Sequence, residues 1–256
     1  MDFLSAEEKL LLNQIRGYGY LYTFGLVEEF ILPFVVDHAR PHLSGDDYRT
    51  RALLRFAGEE AKHIQLFKQF AAEFQRGFGS ACNTIGPPEE IARAVLSHHP
   101  LGVALVILHI EWMTQRHYLD SVHDDGALDP QFKSLLKHHW MEEAQHTKLD
   151  TLMVEALAEG RSRCYIEAAV EEYLEIGILI DTALQQQVGF DLDAFTRATG
   201  REFEEREKNQ FREVQLQANR WTYLGSGMTH GNFVASLKAL GGNAAARIAE
   251  VAPIFS

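Results

Sequence analysis

Apolar residues recur at intervals of three and four along nearly the whole chain, and alternating β-branched runs are almost absent, so the pattern predicts helices and no sheet. Ser5-Ala6-Glu7-Glu8 has the form of a capping box and opens a first helix that runs to Arg40, just ahead of Pro41. Ser44 to Asp47 opens a second, ending near Arg76. An irregular stretch from Gly77 to Pro88 leads into a short helix that Pro100 ends. A third long helix is predicted from about Leu101 to His123. Pro130, at a first helical position, begins a fourth that continues to about Glu159. A fifth follows Gly160 and is expected to stop near Val188, because Gly189 to Asp193 (GFDLD) reads as a break. Thr199-Gly200-Arg201-Glu202 then reads as the cap of a sixth helix ending near Leu224.

The loops between helices one and two and between three and four are short, which makes each pair antiparallel neighbours. The long connection between two and three lets the chain cross the bundle. This is the one-crossover connectivity of a ferritin-like four-helix bundle, so the expected fold is all-α. No Gly/Ser-rich or Pro-rich linker interrupts it. One domain is expected over 1–256, with a metal-binding bundle at about 6–159 and peripheral helices in 160–256.

Composition narrows the function classes. With 256 residues, 46% hydrophobic and 23% charged, the chain has the balance of a protein with a large core, and disorder is excluded. The apolar run Leu101 to Leu108 is far short of the ~20 residues of a spanning helix, and the first residues are acidic where a signal peptide is basic. A cytoplasmic protein with no membrane partner is expected. A net charge of -12 repels nucleic acid. Two cysteines, Cys82 and Cys164, without a C-x-x-C spacing argue against thiolate zinc and dithiol redox chemistry. The chemistry then falls to 12 histidines and 36 carboxylates.

Two segments are alike: Gly58 to His63 (GEEAKH) on the second helix, and Met141 to His146 (MEEAQH) on the fourth. Each holds Glu-x-x-His, Glu60 with His63 and Glu143 with His146, and residues three apart share a helix face. A single such pair is usually solvated surface charge. Two on alternate long helices of one bundle suit a pair of metal ions, which also requires a carboxylate from each remaining helix. Glu111 stands in the apolar run LGVALVILHIEWM, where a buried carboxylate without a partner would cost several kcal/mol. On the first helix Glu28 continues the stripe of Leu21, Phe24, Ile31 and Val35 and is preferred, with Glu29 as the alternative. Pro33, lacking an N–H, leaves the carbonyl of Glu29 without its helical donor and is expected to bend this helix.

His139 precedes Glu143 by one turn, giving His-x-x-x-Glu-x-x-His on one face, and reads either as a seventh ligand or as an imidazole that orients a carboxylate. His138, about 100° away, faces outward. His109 and His117 have no ligand-like spacing to Glu111. Tyr22, Phe24, Phe56, Phe67, Trp112 and Trp140 are candidates to line an apolar pocket, although aromatic residues at helical spacing are more often core. Carboxylate and imidazole donors suit two irons or an iron–manganese pair.

Over about Glu28 to His146 these residues resemble the ferritin-like diiron carboxylate superfamily, with spacings like those of bacterial multicomponent hydroxylases, acyl desaturases, ribonucleotide reductase small subunits and aldehyde-deformylating oxygenases. The segment His138 to His146 (HHWMEEAQH) is most similar to the p-aminobenzoate N-oxygenase family, which carries a third histidine one turn before its second Glu-x-x-His. That resemblance implies His139, Glu143 and His146 as ligands, with Glu60 and His63 on the partner helix. It also implies an oxidoreductase that takes dioxygen as co-substrate, electrons from an external donor or redox partner protein, and a small organic substrate such as an arylamine. Aldehyde-deformylating or hydroxylating chemistry is the nearest alternative. An iron-binding ferroxidase and a non-enzymatic helical interaction module, in which the Glu-x-x-His pairs are surface charge, follow; a homodimer is compatible with all of these.

Overall fold

The structure is a computed structural model that describes residues 1–255. It is all-helical, and no strand occurs among the described residues. The long helices are α1 (Ala6–Ala39), α2 (Asp47–Phe78), α4 (Pro100–His117), α5 (Pro130–Ala158) and α6 (Arg163–Thr199). Shorter ones are α3 (Pro88–Leu96), α7 (Glu205–Arg220), α8 (Ser226–Met228), α9 (Gly231–Leu240) and α10 (Ala244–Val251).

Local chemistry explains most of the boundaries. Ser5 and Glu8 form the reciprocal capping box that starts α1, Asp46 caps α2, and Asp129 accepts from the backbone of Gln131 and Phe132 at the start of α5. Pro33 lies inside an α1 that continues to Ala39. By length and composition α1 is also apolar enough to cross a membrane, but much of it is buried in the bundle and it carries Glu28 inward.

Helix α1 packs along α2, and α4 along α5, forming two hairpins joined through α3, which lies on α1. Every residue from Leu101 to Glu111 of α4 is buried, as expected of a helix apolar on all sides. Its second side is covered by α6, α8 and α9, so the C-terminal part of the chain completes the core. There Gly227 sits against the ring of His109, whose Nδ1 meets the Tyr173 hydroxyl at 2.5 Å and whose Nε2 meets the Tyr223 carbonyl at 3.0 Å. Burial holds His109 neutral, lowering it to about 4.

Two expectations fail, both in this outer layer. Gly189 to Asp193 is no break: α6 runs through it for 37 residues. A mid-helix glycine costs ~1 kcal/mol relative to alanine, whereas each buried apolar side chain is worth ~1.5–3 kcal/mol. Val188, Leu192 and Phe195 are buried against Leu12, Ile15 and Tyr18, and the Gln187–Asp191 hydrogen bond of 2.7 Å spans the glycine. The stretch Thr199 to Glu202 does not cap a sixth helix either. Gly200, at φ 62°, closes α6 in the left-handed conformation, and α7 starts later, from a Glu204–Glu207 capping box. Helix α4 itself ends at His117, and a π-helical turn carries the helical path on over Tyr118–Val122, close to the expected end.

A Cβ at Gly227 would stand 2.5 Å from the His109 ring. Gly227→Ala should therefore destabilise the protein by about 1–3 kcal/mol, read as a lower midpoint in denaturant with an unchanged m-value.

Candidate metal centre

Four helices each bring carboxylates to the middle of the bundle. Glu28 comes from α1, Glu60 from α2, Glu111 from α4 and Glu143 from α5, and the imidazoles of His63, His139 and His146 stand among them. Every one of these side chains is buried; Glu60 and His146 are 0% exposed. The two Glu-x-x-His pairs are therefore not surface charge. Glu29 points elsewhere, is partly exposed and pairs with Lys68, so Glu28 is the α1 carboxylate in the cluster.

The donor atoms form two groups, each with all atoms within 4.8 Å of one another: Glu28, His63, His139 and Glu143 in one, Glu60, Glu111, Glu143 and His146 in the other. Glu143 belongs to both. Its carboxylate lies 2.7 Å from His139 Nε2 and 3.1 Å from His63 Nδ1 through one oxygen, and 2.6 Å from His146 Nδ1 through the other. Glu60 also reaches both groups, at 2.9 Å from His146 Nδ1 and 4.0 Å from His63 Nδ1. His139 takes a place among the donors, 3.0 Å from Glu28.

Several close approaches are not aligned hydrogen bonds. Glu28 Oε2, both oxygens of Glu60, His63 Nδ1 and Glu143 Oε1 are buried without a hydrogen-bond partner. Leaving such atoms unpaired costs several kcal/mol, and convergent lone pairs of oxygen and nitrogen are the donor set of a divalent ion. The residues thus fit metal ions: Glu143 would be shared between the two donor groups, and Glu60 belongs to the second and approaches His63 of the first.

The titration of the cluster shows the same tension. Burial alone would lower His63 and His146, but the closeness and charge of the surrounding carboxylates, Glu143 foremost, raise them to about 10 and about 9. Burial and then the charge of Glu143 push Glu111 well above the carboxylate range. Glu143 is held well below it against the pull of burial, by His139 and His146.

Three acidic residues at the site went unassigned in the sequence. Glu142 accepts from His63 Nε2 at 2.7 Å, and Glu59 from His146 Nε2 at 2.8 Å. The first glutamate of each Glu-Glu-Ala-x-His segment thus holds the imidazole of the other segment and turns its Nδ1 inward. The doubled glutamate was the available signal. Asp150, one turn beyond His146, is 1% exposed with both carboxylate oxygens unpartnered, and burial raises it well above the usual range. It extends the stripe of His139, Glu143 and His146. Among the aromatic candidates, Phe56 packs on His146 at 4.0 Å, and Phe24 and Phe67 pack on His139 at 5.5 and 4.9 Å. Trp140 instead stacks on Tyr118 and Trp112 on His230, away from the donors.

No family model matches the chain, and neither a curated protein nor a solved structure is significantly similar to it.

Two outcomes follow from this geometry. Glu142→Gln and Glu59→Gln should each weaken metal binding ~10–100-fold by freeing an imidazole, whereas Glu29→Gln should leave it unchanged, as titration with ferrous or manganous ion will read. In the metal-free protein His63 and His146 are protonated when folded, at about 10 and about 9, against 6.5 when unfolded. Their contribution to stability is complete below pH 6.5 and is lost as pH rises through 9 and 10; the raised Glu111 and Asp150 act in the same direction. Unfolding in chelator should therefore show stability declining from neutral pH upward.

Proposed function

We propose that this chain is a ferritin-like, non-haem diiron oxygenase that activates dioxygen and oxidises a small organic substrate. The observation that carries the reading is the pair of buried donor groups sharing Glu143, one helix of the bundle supplying each carboxylate. A pair of ferrous ions held there would supply the electrons for dioxygen reduction, and an external donor would restore them.

The chain's own residues do the rest. Glu143, common to both groups, would be shared between the ions, and Glu59 and Glu142 fix the imidazole orientations. The rings of Phe56, Phe67 and Phe24 exclude water from the histidines. A groove of about 770 Å³ between α2 and α5 reaches His63 and His139. Leu66, Phe67, Phe70 and Leu135 give it an apolar part beside polar residues that include Lys62, Gln69, Glu73, Gln131 and Glu142, which suits an organic molecule carrying polar groups. His139 in the first donor group favours chemistry like that of the p-aminobenzoate N-oxygenases, with an arylamine as substrate, over the six-ligand relatives.

Loaded anaerobically, the protein should bind about two irons per chain and consume dioxygen on exposure to air, and Glu143→Ala should lose both ions because it removes the shared carboxylate. Metal analysis with an oxygen electrode reads both. Full retention of metal in Glu143→Ala, or iron binding without oxygen uptake, rejects the reading.

A further inference from the structure

Tyr20 of α1 meets His117 at the end of α4, beside a cavity that shares no lining residue with the groove. The Tyr20 hydroxyl lies 3.0 Å from His117 Nδ1, and the two rings overlap at 5.0 Å. Burial lowers His117 to about 4, aided by Arg16, so the imidazole is neutral at physiological pH. With Nε2 carrying the ring proton, Nδ1 is a free base aimed at the phenol. Burial likewise keeps Tyr20 protonated, well above its ordinary range.

The pair is also wired to the candidate centre. Tyr20 stacks on Phe24 at 4.3 Å, with 29° between the planes, and Phe24 stands edge-on to His139 at 5.5 Å. One aromatic ring therefore separates the phenol from a donor imidazole. On the other side, both Tyr20 and His117 line a cavity of about 180 Å³ that also holds Arg16, Ser121, Asp191 and Asn219. Arg16 carries no hydrogen bond or ion pair among the described residues.

We propose that Tyr20 is a redox-active tyrosine that delivers single electrons to the metal centre, with His117 as its proton acceptor. The inference rests on the diiron reading above. In the step, Tyr20 gives one electron by way of Phe24 to the centre oxidised by dioxygen, which is reduced by one electron. The Tyr20 O–H bond breaks as an N–H bond forms at His117 Nδ1, leaving a neutral tyrosyl radical hydrogen-bonded to imidazolium. An oxidised phenol is a far stronger acid than imidazolium, so the transfer runs downhill even to a base of about 4. A one-electron donor then returns the electron, and the proton goes back to the phenolic oxygen.

Two other tyrosines sharpen the assignment. Tyr173 also bonds to a neutral histidine, His109, but His109 is two residues from Glu111 and thus about 200° around α4, facing away from the donors. The rings in contact with Tyr173 are His109 and Phe233. Tyr223 does touch Phe24, at 6.2 Å, yet its hydroxyl meets Thr23, which is no base. Tyr20 alone among these three joins a proton acceptor to a ring path.

The test is rapid freeze-quench electron paramagnetic resonance on the full chain, loaded with iron and mixed with dioxygen, with metal content and oxygen uptake measured on the same sample. A tyrosyl signal is expected that narrows with ring-deuterated tyrosine, is lost in Tyr20→Phe, and persists in Tyr173→Phe and Tyr223→Phe. His117→Gln keeps a hydrogen-bonding side chain but removes the base, so radical formation should slow and lose its solvent deuterium isotope effect. If iron binds and oxygen is consumed with no tyrosyl radical, or with one that survives in Tyr20→Phe, the inference is overturned while the oxygenase reading stands. If the chain takes up no iron, both fall, and the metal count tells the two failures apart.

Discussion

Removing charge from water at the centre of the bundle is the constraint on which the rest of the molecule depends. Glu28, Glu60, Glu111, Glu143 and Asp150 are all nearly or wholly inaccessible, and the imidazoles of His63, His139 and His146 stand among them to offset their charge. An isolated buried carboxylate would neutralise itself by taking up a proton, and Glu111 and Asp150 are pushed in that direction, while the imidazoles are pushed toward the charged form. Such an arrangement is costly for a structural core, since well-packed apolar residues would serve it better. It suits a site built for cations.

Holding so many polar groups inward requires support from outside. Glu59 and Glu142 sit at the boundary, each 34% exposed, where water reaches them. Each takes the outer nitrogen of a histidine from the opposite helix, so α2 and α5 are tied by two equivalent hydrogen bonds as well as by the inner donors. Lys62 in turn pairs with Glu142. The repeated Glu-Glu-Ala-x-His segment is thus one device used twice.

The outer helices solve a different problem. An α4 that is apolar on every side cannot face water, and α6, α8 and α9 close over it. Buried polar groups accompany this packing, among them His109 of α4, bonded to Tyr173 and the Tyr223 carbonyl, and Gln187 of α6, bonded to Asp191 and to the loop at Asn83 and Ile85. Where this layer meets α1, the π-helical turns at Tyr118–Val122 and Trp221–Gly225 border the cavity beside Tyr20 and His117.

The helical class, the hairpin pairing, and Glu60, His63, Glu111, Glu143 and His146 as one constellation were legible in the sequence, because three- and four-residue spacing places side chains on a helix face whatever that helix packs against. Periodicity also favoured Glu28 over Glu29, and the packing of α1 on α2 decided it by sending Glu29 to Lys68. Other features depended on contacts between distant segments. Gly189 stays helical because Val188, Leu192 and Phe195 gain more by burial against α1 than the glycine loses. Glu59 meets His146, and Glu142 meets His63, across separations no local pattern encodes. Tyr20 finds His117 in the same way, 97 positions along the chain. Local spacing sets which face a residue occupies; only the approach of another helix sets what that face touches.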